Sequence, residues 1–182
     1  MNELAEKTTP EKTTLAEKNG FGLPFDMTQL CDVTSSWCLN QDDDTPFTNL
    51  WTEDSFLRSD CDEQLLIHIE FKQRLKLRHL SFSTNSALPS AVPSLVKIFI
   101  DSPNMDFNSV VDTLPTQVLQ LTDVDYRPGS LTDLEFVRFQ NIGSITLFVE
   151  ENNTDEDKTF FPQLQLFGVP LETCNVSNIQ KC

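Results

Sequence analysis

One stretch constrains this chain more than any other. Leu65, Ile67, Ile69 and Phe71 alternate with Leu66, His68 and Glu70, a period of two that fits a strand and does not fit a helix. Similar apolar runs recur at Leu75 and Leu77, at Leu80 and Phe82, at Val96, Ile98 and Ile100, at 118–121, at 134–139, at 145–149 and at 164–167. Turn formers punctuate them: Pro89, Pro93, Pro103-Asn104, Pro128-Gly129, Gly143, Asn152-Asn153, Gly168 and Pro170. No amphipathic helical pattern of twelve or more residues interrupts the series. Seven or eight short strands of this kind point to an all-β fold, an antiparallel β-sandwich of the jelly-roll type, with a closed barrel as the structural competitor. Leu80 and Phe82 lie one step out of phase with Leu75 and Leu77. Either a β-bulge falls near Arg78-His79 or the strand is buried on both faces.

The apolar content is spent on 14 Phe, against 2 Trp and 1 Tyr, a choice that suits strands filling a sandwich interior. A chain of 182 residues fits one domain with tails and is long enough to bury a core without metal or disulfide support. Residues 1–20 are polar and contain the near-duplicate LAEKTTPEKTTLAEK. They bury too little apolar surface to offset ordering and read as a disordered polar tail. Residues 21–175 form the expected domain and 176–182 a C-terminal tail. Asp26 is the expected N-cap of a short helical turn that follows it.

Charge narrows the partners. With 28 acidic and 13 basic residues the formal net charge is −15, which repels phosphate backbones and anionic lipid. Neither nucleic acid nor membrane is expected as a partner; basic protein surfaces are. No run approaches the roughly eighteen apolar residues of a membrane span. The five cysteines, Cys31, Cys38, Cys61, Cys174 and Cys182, are odd in number and contain no CxxC pair. This argues against a secreted disulfide framework and against dithiol redox work. The expected location is a reducing compartment, cytoplasmic or nuclear, for a monomer without a cofactor.

The residues offer little catalytic chemistry. His68 and His79 each lie inside a strand pattern, away from any nucleophile motif, and His68 is expected to be a partly exposed sheet residue. No GxSxG, HExxH or GxGxxG occurs, and Cys31 and Cys38 have no second pair at zinc-knuckle spacing. The described fate of Cys31, Cys38 and Cys61 is that of small, semi-buried apolar side chains. The three aspartates at 42–44 lack the alternate spacing and the Gly of a calcium loop. Asp60, Asp62 and Glu63, directly before the 64–71 strand, are expected to brace that loop by accepting from its backbone N–H groups. The acidic run 150–157 reads as a charged hairpin loop.

Several segments together resemble the PITH domain, the proteasome-interacting domain of thioredoxin-like proteins. They are Cys38-Leu39-Asn40, the run from Phe56 through Ser59-Asp60-Cys61-Asp62-Glu63-Gln64 to Ile67, Val96 to Ile100, Met105-Asp106-Phe107, Pro115-Thr116-Gln117, Leu121-Thr122, Phe136-Val137-Arg138-Phe139-Gln140-Asn141 and Ser144 to Val149. The resemblance spans about 25–175 in the right order. It implies a galactose-binding-domain-like jelly roll and a non-catalytic module that docks on the proteasome regulatory particle. The alternative is a sandwich that binds a sugar or small polar ligand. For partner binding, the C-terminal Gln180, Lys181 and Cys182 are the candidate residues, with Cys182 offering a thiolate and a carboxylate on one end.

Overall fold

The computed structural model describes residues 25–82 and 87–171. Among these, ten strands run antiparallel: β1 (Phe25–Asp26), β2 (Cys31–Leu39), β3 (Leu57–Arg58), β4 (Leu65–Ser81), β5 (Pro93–Ile100), β6 (Gln117–Gln120), β7 (Thr132–Asp133), β8 (Ile142–Asn152), β9 (Phe160–Phe161) and β10 (Gln165–Pro170). One short helix, α1 (Phe107–Asp112), and two 3-10 turns, Thr28–Leu30 and Phe47–Trp51, complete the elements. The tail 1–20 and the residues 176–182, with Gln180, Lys181 and Cys182, lie outside the described residues.

The organising element is β4, with 17 residues. Its first half pairs with β2, ending at Cys31 opposite Phe71, and its second half pairs with β10, starting at Pro170 opposite Leu75. Strand β8 flanks the other side of β4, continuing outward to β5 and β6. One strand therefore passes from one set of partners to another, and the exchange falls at Lys72, Gln73 and Arg74, all exposed. The β4–β8 register slips at the same place, between Glu70 and Leu75.

The phase slip at Arg78 has a structural counterpart. Gly168 pairs with Leu77 and the preceding Phe167 pairs with His79, so Arg78 has no opposite number. This is a β-bulge, with two residues facing one, and it returns Leu80 and Phe82 to the core. The bulge draws the two backbones together: a Cβ at Gly168 would stand 2.0 Å from the Lys76 carbonyl oxygen. Only glycine fits there.

The main core joins both halves of β4. Leu65, Ile67, Ile69, Leu75, Leu77, Leu80 and Phe82 pack with Val96, Ile98, Ile145, Leu147, Phe139 and Phe161, all fully buried. Burying each such side chain contributes about 1.5–3 kcal/mol. The opposite face of the sheet carries a second, smaller cluster of Leu66, Phe99, Met105, Val110 and Phe148, with Trp37 and Phe107 packed against it. Helix α1 lies over this face. A capping box holds its start, in which the Asp106 carboxylate accepts from the Ser109 N–H at 2.7 Å and the Ser109 hydroxyl accepts from the Asp106 N–H.

Three expectations are corrected. Residues 134–139 do not form a strand: Arg138 N–H donates to the Glu135 carbonyl and Phe139 N–H to that of Phe136, which is turn geometry. Leu134 and Phe139 are buried as anchors at the two ends of this turn segment, and with Phe136 and Val137 between them they make up an apolar run that reads like a strand. Asp26 accepts from the Thr28 N–H at 2.9 Å as an Asx turn, but the residue at the cap position is Met27. His68 is 1% exposed, not a partly exposed sheet residue, because the second cluster and Trp37 cover it.

Candidate interaction surface

Three loops meet at one end of the sandwich: 40–45, 59–64 and 151–159. Asn40 is the pivot of the first. Its φ of 63° lies in the left-handed region that Asn tolerates better than most residues. In that conformation its side chain accepts from the Cys61 N–H at 3.0 Å and donates to Asp62 Oδ1 at 2.7 Å and to the Gln64 carbonyl at 2.6 Å. Its own carbonyl accepts from the Asp60 N–H.

Ser59 joins the second loop to the third. It is fully buried, its N–H donates to the Thr159 carbonyl, and its hydroxyl oxygen accepts from the Thr159 N–H at 2.9 Å. The Thr159 hydroxyl donates in turn to the Glu63 carbonyl at 2.7 Å. Asp42 receives a two-pronged contact from Arg58, at 3.1 Å from Nε and 2.6 Å from Nη2. The Asp44 N–H that Asp42 accepts, followed by this guanidinium, holds its carboxyl below the usual range. Lys158 Nζ stands 3.9 Å from both Asp42 and Asp60, so one ammonium touches two of the loops from the third.

The expected bracing residues divide the work unevenly. Asp62 Oδ1 accepts from the Gln64 N–H at 3.1 Å and from Asn40. Asp60 is exposed and accepts from the Cys61 thiol at 3.4 Å. Glu63 takes part through its backbone carbonyl, and its side chain lines a recess. That recess, of about 450 Å³, is bounded by Glu63, Glu151, Asn152, Thr154, Asp155, Glu156 and Asp157. Asn152 shapes its rim, accepting from the Thr154 N–H at 2.9 Å and donating to the Glu156 carbonyl at 2.8 Å. The lining carries five carboxylates and no cation. Thr159 was not singled out from the sequence; Asn40 and Ser59 stand in the segments quoted for the family resemblance, without the pairings seen here.

Elsewhere the titratable groups are enclosed. His68 Nδ1 lies 2.9 Å from Thr146 Oγ1 and Nε2 lies 3.3 Å from Glu70 Oε2. Burial lowers its pKa, against the raising influence of Glu70. His79 Nδ1 lies 2.7 Å from Asp133 Oδ1. Burial pushes the thiols of Cys31 and Cys38 up to about 12. The hydrogen bond to the Asp60 carboxylate raises that of Cys61, so all three described thiols stay protonated near neutral pH. Cys31 is buried and Cys38 half-buried, but Cys61 is exposed, contrary to the expectation that all three would be semi-buried. Among the described residues no group of three or more His, Cys, Asp or Glu is arranged to hold a metal ion.

The antiparallel sandwich has the fold of the galactose-binding-like β-domains. The CBM32-3 module of a family 31 glycoside hydrolase from Clostridium perfringens shares this fold, with a TM-score of 0.53 at 12% identity over 78% of this chain and 97% of the module. Within that class the chain belongs to the PITH domain family, whose model matches residues 17–181. It is 33% identical over 149 residues to Thioredoxin-like protein 1 of Schizosaccharomyces pombe, covering 79% of this chain and 51% of that protein. It is 27% identical over 143 residues to PITH domain-containing protein CG6153 of Drosophila melanogaster, covering 72% and 64% respectively. The chain thus spans less than two thirds of the length of either relative.

Proposed function

We propose that this chain is a non-catalytic protein-interaction module that docks on the proteasome regulatory particle, with the acidic three-loop end as its contact surface. The observation that carries the reading is the construction of that end. Asn40, Ser59 and Thr159 hold three loops in one arrangement, and carboxylates project from it with Lys158 and Arg58 turned inward onto Asp42. A preorganised surface loses little freedom on binding, and one sign of charge steers it toward a basic patch on a partner. Membership of the PITH family supports the proteasome as that partner. The enclosed histidines and protonated thiols support the absence of chemistry.

The sugar-binding reading draws on the fold alone. No aromatic side chain lines the recess, so a sugar ring has no stacking platform there. The test is affinity purification of the tagged chain from lysate at low salt, with mass spectrometry of what is retained. Regulatory-particle subunits that dissociate as salt rises support the reading. Recovery of none by a folded chain overturns it.

A further inference from the structure

Acids outnumber bases in this chain by 28 to 13, yet one exposed strip reverses the balance. Lys72, Arg74, Lys76 and Arg78 occupy alternate positions of β4, opposite the buried Phe71, Leu75 and Leu77, and so point outward together. Lys72, Arg74 and Arg78 are exposed and Lys76 half-exposed. Arg74 alone carries a salt bridge, to Asp101 at 2.7 Å. Lys72 donates to the Gln29 carbonyl and Arg78 lies over the Phe136 ring at 4.4 Å. Among the described residues, no carboxylate pairs with Lys72, Lys76 or Arg78.

Several carboxylates on β4 or on segments bonded to it are already engaged. Asp101 holds Arg74 and accepts from the Gly143 N–H, Asp133 meets His79, Glu135 meets Arg138, and Glu70 meets His68. A face that only needed solvation would be served as well by the acids in which the chain is rich. Successive outward side chains of a strand stand about 6–7 Å apart, the repeat of alternate residues in an extended peptide. At physiological ionic strength screening acts over about 8 Å, so a segment lying along the strip meets its four cations at closer range than the acids of the distant loop end.

We propose that the outward face of β4 from Lys72 to Arg78 is a second docking site, for an extended acidic segment of a partner protein. It is distinct from the acidic loop end and opposite to it in charge. The two surfaces are independent, so failure of either leaves the other standing.

The test uses a fluorescein-labelled octapeptide of alternating Glu and Ser, titrated with the full chain by anisotropy at moderate salt. The K72Q/K76Q double variant spares Arg74, salt-bridged to Asp101, and Arg78, which lies over Phe136, and K97Q, which loses an ion pair to Glu150, serves as the control substitution. Loss of two ion pairs weakens binding about fivefold in K72Q/K76Q, with K97Q unchanged. As a measurement that needs no variant, the peptide shifts the backbone amide resonances of residues 72–78 in the wild-type chain. Absence of binding, equal affinity of wild type and K72Q/K76Q, or shifts confined to other residues overturns the proposal. So does tighter binding of a thymidine octanucleotide, which would make the occupant a nucleic acid.

Discussion

Trp37 lies nearly parallel to the His68 imidazole, with ring centroids 5.1 Å apart and planes 20° apart. The indole comes from β2 and the imidazole from β4, at positions directly paired across the sheet. The stack shields a titratable ring that Thr146 and Glu70 hold from the other side.

That shielding gives stability a pH dependence. Burial lowers the folded-state pKa of His68 below its ordinary 6.5, so the unfolded chain takes up the proton first. The stabilisation is complete above about 6.5 and is lost as pH falls through the lowered folded value. The thermal midpoint, followed by tryptophan fluorescence, should drop between pH 7 and pH 5 in the wild type. The drop should be smaller in His68→Gln; superimposable profiles would show that His68 is not the group responsible.

Gly168→Ala should be among the most damaging single substitutions in the chain. The new methyl group would collide with the Lys76 carbonyl at the bulge, and the backbones must part to admit it. A loss of about 3 kcal/mol or more is expected, read from urea denaturation. A loss under about 1 kcal/mol would mean that the bulge is more pliable than its geometry implies.

Asn40 can be dissected by two substitutions. Asn40→Gly keeps the left-handed backbone and removes the side-chain hydrogen bonds to Cys61, Asp62 and Gln64; Asn40→Ala removes both. Both should destabilise, and alanine by about 1 kcal/mol more than glycine. Denaturation midpoints of the pair report the backbone contribution directly.

Neutralising the recess rim as D155N/E156Q/D157N should leave the melting temperature nearly unchanged, since these side chains are exposed. On the docking proposed above, association with the regulatory particle should slow about three- to tenfold at low salt and depend less on salt. Unchanged kinetics would place the contact elsewhere.

The regular strands were legible because the positions facing the main core are apolar at every second residue. The alternation at 65–71, the phase slip before Leu80 and the runs at 96–100 and 145–149 all survive as β4, its bulge, β5 and β8. Strand β2 was not, since its middle, Asp32 to Ser36, is polar and irregular where the register with β4 shifts. The turn at 134–139 was misread because four of its six residues, Leu134, Phe136, Val137 and Phe139, are apolar like those of a buried strand. The loop end was hidden for another reason. Asn40 meets Asp62 across 22 positions and Ser59 meets Thr159 across 100, and no local pattern records who will meet whom at such distances.

Strand β4 belongs to both halves of the sandwich, and this has a bearing on how the molecule comes apart. Neither set of partners can peel away without dragging the common strand out of the other, so partial opening has no cheap route. Amide protons along 65–71 and 75–81 should therefore exchange with solvent at one shared, slow rate.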